Sequence, residues 1–360
     1  MRVVISAGGT GGHIYPALAI INKIKKEEPQ SEFLYIGTHN RMEKDIIPNL
    51  GIPYEAIEIY GFNRKQLFKN FKTLMCLYTS YKKCRKLIKN FNPDMVIGVG
   101  GYVTVPVIYA ASKLHYKTFI HEQNSVPGAA NKFLSKYASM IGVSFASSMT
   151  LFPAPKVIFT GNPCSDDALS KPAMLKSELG LSDDKKLVYI VMGSLGASQI
   201  NEMLIKTMPL FENKNYEVVF ITGKDSYAHV SDFKYPDNVK VFAYIDNQTR
   251  AMKLADVMVT RCGASTLSEI IALEIPSILI PSPYVSNNHQ YKNAMDLIEA
   301  KAAILIEEKD LTSELLVQTI DNLIVDEDKI MMMSNNLQKM LIPNSASKIY
   351  ELLKKTIDRK

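Results

Sequence analysis

The sequence predicts an α/β fold built from two doubly wound parallel sheets. Three observations carry that expectation. The chain has 360 residues, more than one ordinary core holds. Short apolar runs alternate with helix-length segments along its whole length. A stretch rich in Pro, Ser and Asp, GNPCSDDALSKPAMLKSELGLSDDKK (161–186), divides the runs into two sets.

The first set comprises RVVIS (2–6), EFLYIG (32–37), DMVIGVG (94–100), KTFIHE (117–122), SMIGVS (139–144) and KVIFTG (156–161). The second comprises KLVYIVMG (186–193), YEVVFITG (216–223), NVKVFAYI (238–245), DVMVTR (256–261), PSILIP (276–281) and AAILIE (302–307). Each has strand length and little charge, so about six strands are expected per sheet. The boundary falls near residue 163, giving a first domain of 1–163 and a second of 164–344. A last helix (345–357) follows Pro343 and is expected to pack back on the first domain. Ligands of such sheets bind at the carboxyl ends of strands, so substrates are expected in a central cleft that the two domains face.

With 47% hydrophobic and 22% charged residues and no low-complexity tract, the composition is that of a globular chain and excludes a fibrous or disordered one. Cys76, Cys84, Cys164 and Cys262 form no CxxC pair and no metal-ligand spacing, and read as free thiols in a reducing compartment. MRVVIS runs straight into a glycine loop, which reads as lacking a signal peptide. The uncharged stretch 95–112 reaches the minimum length for a span, but Gly98, Gly100, Gly101, Thr104 and Pro106 break it into strand, turn and helix. The stretch 137–155 is rich in serine and proline, and neither reads as spanning.

The net charge of +6 is uneven. Nine Lys or Arg and no acid lie between Glu58 and Asp94, so the rest of the chain sums to 6 − 9 = −3. A mildly acidic body carrying one basic strip points to an anionic surface or ligand.

Three loops look ready for anions. AGGTGGH (7–13) follows the first strand and precedes a helix with Pro16 in its first turn, the setting in which backbone N–H groups bind phosphate. A dinucleotide GxGxxG fails at Ile14, no acid follows the second strand, and no Gly-Lys-Ser/Thr of a P-loop is present. A tight turn that uses glycine for packing alone is the alternative. MGSLGAS (192–198) and TRCGASTLSE (260–269) repeat the strand–loop–helix setting, with Ser265 and Thr266 placed to cap a helix or touch an anion and Glu269 one turn beyond. Together they suggest two diphosphates, or one gripped from both domains.

GGTGGHIYPALA, HEQN (121–124), GNP (161–163), MGSLGA, TRCGASTLSE and HQYKNA (289–294) together resemble the MurG family in order and spacing across nearly the whole chain. The resemblance implies a GT-B fold with two Rossmann-like domains. It implies UDP-N-acetylglucosamine as donor and undecaprenyl-pyrophosphoryl-N-acetylmuramoyl-pentapeptide (lipid I) as acceptor. Transfer would go to the 4-hydroxyl of the muramoyl sugar with inversion, giving a β-1,4 linkage and lipid II, without cofactor or metal. The residues agree on the last point: no paired acids stand in a convincing loop, and fixed amides stabilise a leaving diphosphate without a cation.

Inversion in one displacement needs a base, and His13 is the candidate. A helix N-terminus disfavours imidazolium and leaves a neutral ring able to take a proton. His13 serves either as that base or as a cap or phosphate ligand of the loop; His121 and Glu122 either share the role or orient the acceptor. For the donor, Thr10, Gly11 and Gly12 belong to the first glycine loop, and Asn124 has an amide suited to sugar or phosphate. The resemblance assigns Tyr244 and Ile245 to uracil, Glu269 to the ribose, and Ser194, Ala264, Ser265 and Thr266 to the diphosphate. His289 and Gln290 match a pair that reads sugar hydroxyls, with an exposed helix position the alternative for Gln290. Many relatives carry arginine just after GNP, where this chain has Cys164 and Ser165. The loss removes a charge-assisted contact of about 1.5–3 kcal/mol and puts the role of Ser165 in doubt.

The basic strip contains GFNRKQLFKNFKTLMCLY (61–78). Leu67, Phe71, Leu74, Met75 and Tyr78 stand at helical spacing, with Phe62 and Phe68 among Arg64, Lys65, Lys69 and Lys72. Aromatics interleaved with cations suit an anionic membrane surface, and four cations give roughly 4 kcal/mol, enough for reversible docking. The alternative is an ordinary amphipathic helix with a solvated far side. Nucleic acid is not expected, since the strip matches no binding module. With a lipid-linked acceptor, the expected location is peripheral, on the cytoplasmic side of the cell membrane. A nucleotide-sugar epimerase is the rival enzyme reading and a membrane-associated nucleotide sensor the rival binding one.

Overall fold

The structure, a computed structural model, describes residues 1–60, 70–193, 198–223, 226–227 and 233–358; the side chains of 70–72 and 198–199 lie outside the description. The chain divides into two compact units, Met1–Cys164 together with Ile342–Lys360, and Ser165–Leu341.

The first unit is built on seven strands: β1 (Arg2–Ser6), β2 (Glu32–Thr38), β3 (Tyr54–Ile57), β4 (Met95–Gly98), β5 (Thr118–Glu122), β6 (Met140–Val143) and β7 (Val157–Phe159). All pair in parallel, in the order β3-β2-β1-β4-β5-β6-β7. Both faces are covered, which is why the strands read as continuous apolar runs rather than alternating ones. Val3 and Ile5 enter one buried cluster with Ile14, Ile20 and Ile24, while Val4 enters another with Ile88 and Val107. The order reverses between β1 and β4, and Ser6 lies level with Ile36 on one side and Gly98 on the other. The loops that follow β1, β2 and β4 are thereby brought together.

β3 is a strand that the apolar runs do not reveal. It is an edge strand, only Ile57 is fully buried, and Glu55 interrupts its apolar character.

The helix Ser345–Asp358 completes this unit. Ile349, Leu352 and Leu353 are buried in the same cluster as Val3 and Ile5. Tyr350 and Lys354 both donate to Glu28, at 2.9 and 3.0 Å, just beyond the end of the helix Gly11–Glu27. Three buried aliphatic side chains contribute roughly 1.5–3 kcal/mol each to that docking.

The second unit carries β8 (Lys186–Val191), β9 (Tyr216–Ile221), β10 (Val239–Phe242), β11 (Val257–Thr260), β12 (Ser277–Leu279) and β13 (Ala303–Leu305). These also pair in parallel, in the order β10-β9-β8-β11-β12-β13, with the reversal between β8 and β11. From Ser165 onward the stretch read as a linker is part of this unit: Met174 donates its backbone N–H to Arg250 O, and Lys253 Nζ bonds the carbonyls of Leu169 and Lys171.

Candidate functional site

In the first unit the site begins with the loop after β1. Helix Gly11–Glu27 starts from Thr10, which is extended and gives no side-chain cap, and its first turn contains no acid. Side chains do cap two helices of the second unit, Ser313–Val325 by Thr312 Oγ1 and Glu327–Met340 by Asp326 Oδ1. An uncapped N-terminus at the carboxyl edge of a parallel sheet leaves its partial positive charge for a ligand.

The glycines have a second use that the sequence reading did not foresee. Gly8 N donates to Gly100 O at 3.3 Å, Gly9 N donates to Glu43 Oε2 at 3.2 Å, and Tyr35 Oη donates to Ala7 O at 2.9 Å. The amides of Gly8 and Gly9 are thus spent inside the protein, and any anion contact falls to Thr10, Gly11 and Gly12. Of these, Gly12 is exposed, and a Cβ there would meet only Thr10 Oγ1, at 3.7 Å.

His13 lies against the loop after β4. Its Nδ1 is 3.0 Å from Gly8 O. A carbonyl only accepts, so the proton of the neutral ring sits on Nδ1 and the lone pair on Nε2. Gly100, at φ +103°, makes room for the ring: a Cβ there would stand 2.5 Å from His13 Cδ2 and 2.9 Å from Nε2. Glu43 and Gly100 are the residues that motif reading missed. The only signal was GVGGY itself, a glycine pair directly after a strand.

HEQN is a scaffold. His121 is fully buried; Nε2 meets Gly161 O at 3.0 Å and Nδ1 meets Gln123 Nε2 at 3.1 Å. Both ring nitrogens are occupied, and burial drives the titration down to about 4. Its geometry leaves no base role. Buried Glu122 accepts from Asn124 N and Nδ2, Gly128 N and Asn131 Nδ2, and so orders the loop after β5. The Asn124 side-chain amide is turned to that carboxylate.

In the second unit, β8 and β11 are neighbours with Val191 level with Thr260, so the loops that follow them emerge side by side. Ser194 lies outside the described residues. Helix Ala264–Leu273 starts from Gly263 without a side-chain cap or an acid in its first turn, so the amides around Ala264, Ser265 and Thr266 form the second open N-terminus. Glu269 is half-buried on this helix, and its titration is raised to about 8, first by burial of the carboxyl and then by the charge of Asp167, against the opposing pull of Lys171. Tyr189, beneath it, is raised by burial and by Glu269 and Tyr244. Glu269 and Tyr244 therefore share one neighbourhood. Tyr244 is exposed and Ile245 buried, at the end of β10.

Helix His289–Glu299 is latched to both neighbouring loops. Gln290 Oε1 accepts from Ser282 N at 2.8 Å, and Asn293 Nδ2 donates to Cys262 O at 3.1 Å. Gln290 is thereby fixed by its oxygen with its amide group left to donate, while His289 Nδ1 donates to Ser286 O. Ser165, at the start of helix Cys164–Ser170, is buried.

Of the basic strip, Phe62, Arg64, Lys65, Leu67, Phe68 and Lys69 lie outside the described residues, as do the side chains of Phe71 and Lys72. The helix Asn70–Phe91 exposes Leu74, Met75 and Tyr78, with Lys82 over the Tyr78 ring. Among the described residues no helix is long and apolar enough to cross a membrane.

Two wholly parallel sheets, each with an uncapped helix N-terminus at the carboxyl edge beside its switch point, define the class: a protein of two Rossmann-like domains, consistent with the GT-B fold. The models of the glycosyltransferase family 28 N-terminal and C-terminal domains match residues 3–143 and 187–351. A Bacillus cytotoxicus protein named UDP-N-acetylglucosamine--N-acetylmuramyl-(pentapeptide) pyrophosphoryl-undecaprenol N-acetylglucosamine transferase is 46% identical, over 100% of both chains. The crystal structure of Acinetobacter baumannii MurG is 27% identical with a TM-score of 0.77, covering 98% of this chain and 99% of that one. A Neisseria meningitidis UDP-GlcNAc 2-epimerase shares the fold alone, at 16% identity and a TM-score of 0.69 over 99% of this chain and 100% of that one. The chain belongs to glycosyltransferase family 28 and, within it, to the MurG family.

Proposed function

We propose that the protein transfers N-acetylglucosamine from UDP-N-acetylglucosamine to the 4-hydroxyl of the muramoyl sugar of lipid I, with inversion, producing lipid II for peptidoglycan synthesis. The observation that carries the mechanism is His13, held as the Nδ1–H tautomer by Gly8 O in a chain matched end to end by relatives named for this reaction. Nε2 takes the proton of the acceptor hydroxyl as the oxygen attacks the anomeric carbon. The bond from that carbon to the β-phosphate breaks, and its electron pair leaves with UDP. The first unit is assigned to acceptor and membrane, the second to the donor.

In the second unit, the amides from Ala264 to Thr266 take the diphosphate and Glu269 the ribose. Tyr244 and the Ile245 backbone flank the uracil, and Gln290 donates to the sugar. Ser165 and Ser194 add hydroxyl contacts, and His289 stands beside Gln290. In the first unit, Thr10 to Gly12 and Asn124 line the reacting sugars. Leu74, Met75 and Tyr78, with the cations of 64–89, support reversible docking to the anionic cytoplasmic face of the membrane.

The test is transfer of radiolabelled N-acetylglucosamine to a short-chain lipid I analogue with EDTA present, for wild type and His13→Ala. Product from the wild type, and a loss of about a thousandfold in the variant with unchanged UDP binding, is expected. Near-normal turnover of the variant would refute the base role; UDP-N-acetylglucosamine binding without transfer would refute the acceptor. Sedimentation with vesicles containing anionic lipid, but not with zwitterionic ones, is expected of the docking surface.

A further inference from the structure

One peptide group stands between two ionisable side chains. The Gly8 carbonyl accepts from His13 Nδ1 at 3.0 Å, and the N–H of Gly9, at the other end of the same planar amide, donates to Glu43 Oε2 at 3.2 Å. We propose that Glu43 is a positioning residue for His13, acting through the Gly8–Gly9 peptide as a carboxylate–peptide–imidazole relay. This rests on His13 being the base.

The surroundings are built for a carboxylate. Glu43 is fully buried, and its Oε1 accepts from Thr38 N at 3.1 Å and Thr38 Oγ1 at 2.7 Å. Its partners are all donors, and among the described residues no Lys or Arg is paired with it. A Cβ on Gly8 would lie 2.5 Å from Oε1, and one on Gly37 would lie 2.8 Å from Glu43 Cγ. A buried carboxylate without a cation is costly unless fixed dipoles hold it, and here one of those dipoles carries the base.

The electronic argument runs along the amide. An anion at the N–H shifts density towards the carbonyl oxygen, and hydrogen bonds in series reinforce one another by roughly 10–30% each. When Nε2 takes the acceptor's proton, the ring becomes a cation whose Nδ1–H rests on that enriched oxygen. No proton travels along the relay: Nδ1 and the Gly9 nitrogen keep theirs, and Nε2 later releases its proton to solvent.

Of the nearby titratable groups, two tyrosines face Glu43, while Asp45, Tyr15 and Tyr102 are exposed to solvent. Tyr35 and Tyr54 lie beside Glu43, and both are raised, first by burial and then by its charge, so they stay neutral throughout the range of interest. Asp45 follows on the same helix, Tyr15 on the helix of His13, and Tyr102 follows the Gly100–Gly101 pair.

Glu43→Gln separates the relay from packing, because its oxygen can keep the Thr38 bonds while its NH2 confronts the Gly9 N–H donor to donor. The experiment is an NMR titration of the 15N-labelled His13 ring together with the pH profile of kcat/KM on UDP-N-acetylglucosamine and a short-chain lipid I analogue. In Glu43→Gln the ring pKa and the acid limb are expected to fall together by about one unit. Turnover should fall about tenfold while UDP affinity holds, and the buried donor–donor contact should lower the melting midpoint without unfolding the protein at assay temperature. Glu43→Asp, with its charge one methylene further back, should lie between and carries the test if the Gln variant does not fold. A folded variant that loses turnover with ring pKa and limb unmoved would overturn the relay. Full turnover by His13→Ala would instead overturn the base reading, whatever the ring titration shows.

Discussion

Gly100→Ala puts the His13 geometry under direct strain. The added methyl would lie 2.5 Å from Cδ2 and 2.9 Å from Nε2, whereas carbon atoms rest about 3.5–4.0 Å apart, so the ring must retreat by about 1 Å. A displacement of that size costs on the order of 100-fold in rate when it falls on a reacting group. The backbone at φ +103° adds about 1–3 kcal/mol of strain for any residue with a Cβ, enough to lower the melting temperature by a few degrees in a chain of this size. The assay is steady-state transfer to a soluble lipid I analogue, with UDP calorimetry and thermal melting as controls. The expected result is a kcat about 100-fold down, UDP affinity unchanged, and a double variant Gly100→Ala/His13→Ala no slower than His13→Ala alone. A folded Gly100→Ala enzyme within twofold of wild type would refute the reasoning, because the ring could then move freely without consequence.

Three further outcomes follow from titration and burial. The Glu269 carboxyl, raised to about 8 from 4.5, holds a proton that the unfolded chain has released, so the wild type loses stability as pH rises between those values. At 1.36 kcal/mol per unit the ceiling is about 5 kcal/mol, reduced to about 2–3 by partial exposure. Glu269→Gln should therefore be no more stable than wild type near pH 4.5 and clearly more stable at pH 9 in urea unfolding, and UDP binding near pH 7, measured calorimetrically in two buffers, should release protons only in the wild type. Glu28 has the opposite sign: it is lowered to about 2 by the Met1 amino group, then Lys354 and Tyr350, so its contribution is present above 4.5 and lost as pH falls through 2. Glu28→Gln should cost about 1 kcal/mol at pH 7, since solvent screens this surface cluster, and almost nothing at pH 2, read from denaturant midpoints. His121→Ala should destabilise by about 2–4 kcal/mol by melting, yet leave the acid limb of kcat/KM in place.

The strands legible in the sequence were those with a continuous, mainly apolar run, the partly exposed β7, β10 and β13 included. All six runs of each set became strands, because each is a short, mainly apolar run in a parallel sheet. Edge strand β3 escaped because Glu55 is allowed at a half-exposed rim. The loops after β1 and β11 could be found in the sequence because each is contiguous and runs straight into a helix. Glu43 was not, since it lies thirty-four residues from the Gly9 amide it binds and meets it only through the β2-β1-β4 order of the sheet. Gly100 and Gly101 were read as breakers of a hydrophobic stretch, and only the register of Ser6 with Gly98 shows why they lie beside His13. The buried role of His121 was hidden because a histidine at a strand end looks the same in sequence whether or not its nitrogens are occupied.

The helix Ser345–Asp358 makes the first unit discontinuous, with Ser165–Leu341 inserted between its two pieces. A ribosome therefore finishes the second unit before it finishes the first. Until Ile349, Leu352 and Leu353 emerge, the nascent first sheet waits with an unfilled groove beside the helix Gly11–Glu27. Synthesis order and folding order are thus reversed for the unit that carries His13, and a premature stop near residue 342 would unfold the beginning of the chain before its middle.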